Sequence, residues 1–311
     1  MTEIADDLVL PFEIKPLGIR GRLVRLGATV NEILRVHDYP PAVSALVAEA
    51  AALTAMLGSA LKFDGKFILQ TKSDGPIDMI VADYHGPGQV RAYAHFDRTA
   101  LESEPERNEG LLLGIGHLAM TVDQGPDMER YQGIVPLART TLAEAAHAYF
   151  AQSEQIPTRL RVAAGPLMGR GRDARANWRA GAIMVQHLPR QGGPSPMRLS
   201  SGDAPQGSEE VVTEHDDWVK ARALLDTVED HELLDPTLSP EELLYRLYHE
   251  DGVTVYPATS ISRYCTCSRE RIGEILKQFS ATEIADMRED GRISVTCEFC
   301  STVYEFDDAR A

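Results

Sequence analysis

The sequence Cys265-Thr-Cys267, followed after 29 residues by Cys297-Glu-Phe-Cys300, determines how this chain is organised. These two motifs contain all four cysteines of the 311-residue sequence. Four thiolates form the soft, tetrahedral ligand set that Zn²⁺ prefers. Residues 292–306 have the pattern of a hairpin whose turn carries Cys297 and Cys300, so both sulfurs would point toward one site. The motifs therefore predict a four-cysteine zinc site.

The cysteine spacing alone leaves several interpretations open. The site could be a permanent zinc staple, because a module of about 70 residues is too small to gain much stability from its own core. It could also be a reactive redox switch. The Cys-x-Cys half is less usual in a purely structural zinc site, and its crowded sulfurs can also be joined by a strained disulfide. Unrelated buried cysteines are disfavoured because all four lie within 36 residues. A zinc ribbon that binds nucleic acid is disfavoured by the surrounding charge, because phosphate contacts need clustered Lys and Arg.

Charge and composition divide the chain into three predicted parts. Residues 209–311 contain 10 basic and 24 acidic side chains, whereas residues 1–208 are nearly balanced. Residues 189–207 contain four prolines and four glycines, which exclude a regular helix or strand. We predict an α+β protein with a mixed sheet-and-helix core domain over 1–188, a Pro/Gly-rich and helical linker over 189–238, and a small C-terminal four-cysteine domain over 239–311.

Periodicity predicts the elements of the two folded parts. The apolar run over 42–61 contains Glu49 and is predicted to be a buried helix rather than a membrane span. In the core we expect a hairpin over 67–71 and 77–82, strands over 89–94 and 118–122, and a helix over 137–152. In the C-terminal part, Ser239, Ser268 and Ser280 are predicted to cap helices, the second with Ile272, Ile275, Leu276 and Phe279 on one face.

An amphipathic helix is predicted over 216–234, between the two folded parts. Its apolar stripe must be buried against a neighbouring surface. Because the helix lies between the core and the cysteine module, we expect it to sense the fold of the module through contact. If the module unfolds, this linker stripe loses one supporting surface and should be released, since a helix this short does not persist alone in water. The stripe includes Trp218, Ala221, Leu224, Leu225 and Val228.

Other patterns argue against alternative functions. Gly114-Ile-Gly116-His-Leu-Ala119 has the letters of a dinucleotide-binding loop, but a strand pattern follows it instead of a helix. The net charge of −16 disfavours nucleic acid and anionic membranes as partners. The N-terminus lacks the basic region of a signal peptide, so a cytoplasmic protein is expected. A basic run near Trp178 is predicted to be a solvated loop or helix face, formed by Arg170, Arg172, Arg175 and Arg179.

The cysteine pattern at this spacing resembles the redox switch of the thirty-three-kilodalton heat-shock chaperones. Further segments similar to that family span nearly the whole chain in order: Leu61-Lys-Phe-Asp-Gly, Val81-Ala-Asp-Tyr, Glu129-Arg-Tyr-Gln-Gly-Ile-Val-Pro-Leu137, Tyr149-Phe-Ala-Gln-Ser-Glu-Gln-Ile-Pro157, Glu242-Leu-Leu-Tyr-Arg-Leu-Tyr-His-Glu250 and Val295-Thr-Cys-Glu-Phe-Cys300.

This resemblance implies a cytoplasmic, ATP-independent holdase that is not an enzyme and that binds unfolding proteins under oxidative stress. In its inactive, reduced state the C-terminal redox-switch domain would hold one Zn²⁺ per chain through Cys265, Cys267, Cys297 and Cys300. Oxidation would join Cys265 to Cys267 and Cys297 to Cys300 and release the metal. The module and linker would then unfold, expose apolar surface to clients, and the active protein would be a homodimer.

Two other classes remain as alternatives. A thiol–disulfide oxidoreductase needs a low-pKa cysteine at a helix N-terminus, whereas Cys297 is predicted to lie on a hairpin. A zinc-stapled protein-interaction module without a redox role predicts that oxidation destroys function rather than creating it.

Overall fold

A computed structural model of the chain describes residues 6–61, 65–104, 108–125, 128, 130–153, 156–167, 177–188, 215–289 and 291–307. Within these residues the chain forms two six-stranded sheets, a two-stranded hairpin and ten α-helices, which confirms the predicted α+β class. The predicted Pro/Gly-rich segment over 189–207 lies outside the described residues.

A long apolar helix, α2 (Pro41–Gly58), lies between the two large sheets and contacts strands of both. Apart from Glu49 it carries no charged side chain on any face, which is typical of a helix in the centre of a core. Among the described residues it is also the one helix long and apolar enough to cross a membrane, and 78% of it is buried inside the fold. The buried helix predicted over 42–61 is therefore confirmed, with an earlier end.

The first sheet has the strand order β10-β1-β2-β9-β8, and β11 also pairs with β1. One face packs on α2, and the other packs on helices from the linker. Because both faces are covered, β9 is buried at almost every position, without the alternation of a half-exposed strand. The strands are β1 (Leu8–Ile14), β2 (Ile19–Leu26), β8 (Thr158–Leu167), β9 (Asn177–His187), β10 (Thr254–Val255) and β11 (Thr259–Ser260).

The second sheet has the order β12-β5-β4-β3-β6-β7 and buries one face against α2. The predicted hairpin, the strand that follows it and the strand over 118–122 are all present. Gly114 directly precedes β6 and residues 115–119 are its first five residues, so this motif opens a strand, as expected, and not a helix. The strands are β3 (Lys66–Ser73), β4 (Met79–His85), β5 (Gln89–His95), β6 (Ile115–Asp123), β7 (Tyr131–Ala138) and β12 (Ser262–Arg263).

The helix predicted over 137–152 begins later than expected. Residue 137 belongs to β7, and the helix α5 (Leu142–Ser153) starts five residues further on. Thr141 and Glu144 set this start, because each side chain accepts a hydrogen bond from the backbone N–H of the other. The remaining helices of this region are α1 (Ala28–Leu34), α3 (Arg98–Ser103) and α4 (Glu109–Leu113).

The linker helix predicted over 216–234 is two helices, α6 (Asp216–Asp226) and α7 (Asp230–Leu234). The break arises because Glu229 and Glu232 form a capping box that starts a new helix. Helix α8 (Pro240–Tyr248) follows, and the hydroxyl of its predicted cap Ser239 accepts from the N–H of Glu242.

Helices α6, α7 and α8 share one apolar cluster with the first sheet. Tyr248 of α8 is fully buried there and stacks at 6.2 Å from Phe12 of β1. The packing therefore does not change at residue 239, where the predicted boundary of the C-terminal domain lies. The division into 1–188, 189–238 and 239–311 stays a prediction, but α8 packs with the linker and the core.

After α8, residues 254–263 join the outer edges of the two sheets, and we call this segment the strap. Its strands β10 and β11 pair antiparallel with β1, and β12 pairs parallel with β5. Between them Ile261 is buried in the main core. Its N–H donates to the carbonyl of Asp7 at 2.7 Å, and its carbonyl accepts from the hydroxyl of Thr29 at 3.2 Å.

Residues 265–307 form the cysteine module, made of α9 (Arg269–Leu276), α10 (Ala281–Asp286), β13 (Ile293–Thr296) and β14 (Val303–Phe306). Ser268 and Ser280 cap the two helices as predicted. The predicted inward face of α9 is half wrong, because Ile275 and Phe279 are 49% and 40% exposed. The module is too thin to cover them, since among its described residues the buried apolar cluster has four members: Ile272, Leu276, Ile293 and Phe306.

Candidate metal centre

The four cysteines come from two elements of the cysteine module. Cys265 and Cys267 lie between β12 and α9, immediately before the capping residue Ser268. Cys297 and Cys300 lie in the turn of the β13–β14 hairpin, as predicted. The N–H of Ser301 donates to the carbonyl of Cys297 at 2.8 Å, and Ser301 has a left-handed φ of 55°. This turn directs both of its sulfurs toward the Cys265–Cys267 segment.

The four sulfurs lie close enough to share one ion. All are within 4.8 Å of one another, with separations of 3.2 Å for Cys265–Cys267, 3.7 Å for Cys265–Cys297 and 3.3 Å for Cys267–Cys300. A tetrahedral zinc site with Zn–S bonds of about 2.3 Å has S···S edges of about 3.8 Å. The thiols are free and half-buried. The donor set and its spacing therefore fit a tetrahedral Zn²⁺.

The thiols differ in how readily they lose a proton. Burial raises the pKa of the Cys300 thiol, but its contacts with Thr302 and with the neighbouring thiols lower it, to about 6 in all. Burial raises the pKa of Cys267 to about 12 and also raises that of Cys297. Four crowded thiols cannot all ionise without a cation, because each thiolate repels the next. A bound metal would replace their protons.

A residue between the two hairpin cysteines attaches the module to the core. The Phe299 ring lies 3.7 Å from the guanidinium carbon of Arg91 and packs edge-on against Tyr93 at 4.7 Å. Beside it, the Ser301 hydroxyl lies 3.3 Å from Nδ1 of His37. Sequence reasoning did not identify these contacts. The available signal was an apolar residue inside a four-residue turn, which needs a partner outside the turn.

The linker stripe lies on the other large sheet. Trp218, Leu225 and Val228 are buried, and Leu224 is partly buried, in the cluster formed with the first sheet. Within the described residues, this cluster extends no further along the chain than Val253. The stripe is therefore docked, as expected, but on the core and not on the cysteine module.

The basic run near Trp178 requires a correction. Arg179 lies in β9, is buried, and forms an ion pair with Asp6, so it is not on a solvated loop or helix face. Its partner is far away in sequence, which local reasoning cannot detect. Arg170, Arg172 and Arg175 lie outside the described residues.

Comparison with known proteins gives a consistent result over the whole chain. The sequence model described as "Hsp33 protein" matches residues 7–307. A 33 kDa chaperonin of Caulobacter vibrioides is 45% identical over 312 residues, covering 98% of this chain and 96% of that protein. One from Shigella flexneri is 35% identical, covering 93% and 89%.

A solved structure has the same fold. The 33 kDa chaperonin (heat shock protein 33 homolog) of Thermotoga maritima matches with a TM-score of 0.77 at 22% identity, covering 97% of this chain and 95% of that one. The architecture, the four clustered cysteines and the full-length sequence matches agree with the resemblance found in the sequence. This chain belongs to the Hsp33 family.

Proposed function

We propose that this protein is a redox-regulated, ATP-independent holdase that is inactive while reduced and zinc-bound, and active once oxidised and zinc-free. A chaperone function is supported by membership in the Hsp33 family and by relatives named as chaperonins, none of which is named as an enzyme. The finer proposal rests on one observation, which is that four free thiols from two separate elements meet within 4.8 Å.

In the reduced protein, Cys265, Cys267, Cys297 and Cys300 would bind one Zn²⁺ per chain. The bound ion would keep all four thiolates deprotonated and would join the end of the strap to the β13–β14 hairpin. Zinc binding to such sites is worth about 10–16 kcal/mol of folding free energy. A module whose described residues include a buried apolar cluster of four would depend on that contribution, so loss of the metal would unfold it.

Oxidation would form the pairs Cys265–Cys267 and Cys297–Cys300. For each pair and one molecule of peroxide, two thiolates lose two electrons, the S–S bond forms, the O–O bond breaks, and two protons complete two molecules of water. In the folded module Cys267 is as close to Cys300 as to Cys265. The neighbouring pairs are favoured once the module opens, because their closure costs the least chain entropy.

Unfolding of the module would release the linker stripe through the strap. The strap pairs with β1 at the outer edge of the first sheet, which is the sheet that α6, α7 and α8 cover. Loss of the strap would destabilise this edge of the sheet, first beneath α8 and then beneath the linker stripe. The exposed apolar surface would bind unfolding proteins, and the oxidised chain would dimerise. The cytoplasm fits this role, because it keeps thiols reduced until stress occurs.

The test measures zinc content, free thiols and suppression of client aggregation in the same samples before and after peroxide. Before treatment we expect one zinc ion and four free thiols per chain. After treatment we expect the zinc and the free thiols to be lost and the suppression of client aggregation to increase. Loss of suppression on oxidation would support the zinc-stapled interaction module instead. Catalytic turnover of disulfide substrates would support the oxidoreductase. Peptide mapping that finds mainly Cys267–Cys297 or intermolecular links would refute the proposed pairing.

A further inference from the structure

The outer face of the second sheet has a formed site for an aromatic ring. Arg91 and Tyr93 of β5 face away from α2, because their neighbours Val90, Ala92 and Ala94 fill the core. Nε and Nη2 of Arg91 donate to one oxygen of Asp83 at 2.9 and 2.5 Å, and the Asp83 side chain is almost fully buried. This pair fixes the plane of the guanidinium. A cation attracts the face of an aromatic ring more strongly when the pair is shielded from water than when it is exposed to solvent.

The ring that occupies this site comes from a segment that is expected to leave. Phe299 is half-buried on Arg91 and Tyr93, and it is not a member of the module's own apolar cluster. Its packing partners therefore belong to the core, while its backbone belongs to the turn that holds Cys297 and Cys300. Any opening of that turn vacates the site and leaves Arg91 and Tyr93 in place.

A strip of mostly apolar side chains, interrupted by the polar Gln70, continues from the site across the sheet. The strand register places Tyr93 beside Val81, Val81 beside Gln70, Gln70 beside Ala119, and Ala119 beside Ile134. Ile134, at the far end, is 56% exposed. At about 4.8 Å between strands, the strip is about 19 Å long, which matches an extended segment of about six residues.

We propose that Arg91 and Tyr93 form a binding site for aromatic side chains of client proteins, which Phe299 occupies in the reduced protein. The proposal rests on the redox-regulated holdase function proposed above and names one of its client-binding surfaces. Phe299 then acts as an internal substitute for a client residue. The preferred partner is an extended, unfolded segment with a Phe or another aromatic anchor, because cation–π and edge-to-face contacts both require a ring.

A peptide of residues 295–302 with Cys297→Ser and Cys300→Ser, labelled with fluorescein, tests the proposal on the full-length protein. We expect it to bind the oxidised, zinc-free chain at least tenfold more tightly than the reduced, zinc-loaded chain. The same peptide with Phe299→Ala should lose at least tenfold in affinity. Tyr93→Ser in the protein should weaken binding similarly, whereas the control Tyr131→Ser, on the same sheet but off the strip, should not. Equal binding by wild type and Tyr93→Ser would overturn the proposal.

A second variant tests the site without oxidation. Phe299→Ala in the full chain removes the occupant and keeps all four cysteines. We expect this chain, reduced and zinc-loaded, to bind the labelled 295–302 peptide that retains Phe299 about tenfold more tightly than the reduced, zinc-loaded wild type does. If the variant binds the peptide no more tightly than wild type, the proposal is overturned. If oxidised wild type neither loses zinc nor suppresses aggregation, the holdase function fails. Binding of the peptide by the Phe299→Ala chain still decides whether the aromatic site exists.

Discussion

The N-terminal sheets and the cysteine module differ in what holds each of them together. The main cluster of buried apolar side chains includes α2, both sheets and Ile261 of the strap, whereas the module's cluster has four buried members among the described residues. Burial of an apolar side chain contributes about 1.5–3 kcal/mol. The core can therefore fold on apolar burial, whereas under the proposed function the module depends on a metal shared by its four thiolates. A chain built in this way can lose one part without losing the other.

Removal of one ligand is expected to have the largest effect. Cys300→Ser should lower zinc affinity strongly and unfold residues 265–307, because zinc contributes about 10 kcal/mol or more to such a module. Hydrogen exchange measured by mass spectrometry should show loss of protection there and unchanged protection in α2. The exposed Ser294→Ala is the control and should bind zinc as wild type does. A Cys300→Ser chain with full zinc affinity would remove Cys300 from the ligand set.

The second prediction tests whether the linker helix α6 depends on the core or on the cysteine module. Leu225→Asp places a charge at a fully buried position and should cost about 4–5 kcal/mol, enough to undock α6 while zinc stays bound. Trp218 fluorescence in a Trp178→Phe background reports the docking. The control Val219→Asp adds the same charge to α6 at a position that is 38% exposed. The reduced Leu225→Asp chain should suppress aggregation. If it keeps zinc, loses the docked Trp218 signal and still fails to suppress aggregation, release of this helix is not the switch.

A matched pair of cavity variants compares the two cores directly. Leu53→Ala in the centre of α2 should destabilise the whole protein by about 2–5 kcal/mol, seen as a lower urea midpoint in every probe. Ile293→Ala in the module should weaken zinc binding and leave the midpoint of the N-terminal transition unchanged. A common shift of all transitions in the Ile293→Ala chain would mean that the two parts unfold as one unit.

The smallest expected effect is a pH dependence confined to the core. Burial, with smaller contributions from Glu109 and Asp230, raises the pKa of Glu49 in α2 to about 9. The folded chain therefore binds a proton that the unfolded chain releases near pH 4.3, so stability is lost as the pH rises from there toward 9. Glu49→Gln should gain stability relative to wild type as the pH rises from 4 to 8, with little difference near pH 4. Urea titrations across this range check it, with the exposed Glu32→Gln as control.

Local patterns were sufficient for many parts of this structure. The apolar run of α2, the serine caps and the hairpin around Cys297 and Cys300 depend on neighbouring residues, so they could be predicted. The break between α6 and α7 could not, because the apolar stripe continues across it and only the Glu229–Glu232 capping box interrupts the helix. The strap also has no periodic signal, since its strands are two residues long.

The candidate site shows the same limit. Thiol chemistry identifies four candidate ligands from sequence alone, and the geometry brings them together. The contact of Phe299 with Arg91 could not be predicted, because more than 200 residues separate the two and nothing in the four-residue turn indicates its partner. Arg179 was misassigned for the same reason, since its partner Asp6 lies at the other end of the domain in sequence.

The pairing of the strap with β1 has a consequence for synthesis on the ribosome. The strand β1 is complete at residue 14, but in the part of the chain that the structure describes its outer edge is covered by residues 254–260 alone. At about 5–20 residues per second, roughly 12–50 s pass between the two events. During that interval the nascent first sheet has an unpaired edge, which is a template for association with other chains. Until its last third has left the ribosome, this chaperone resembles the aggregation-prone chains that it is proposed to hold.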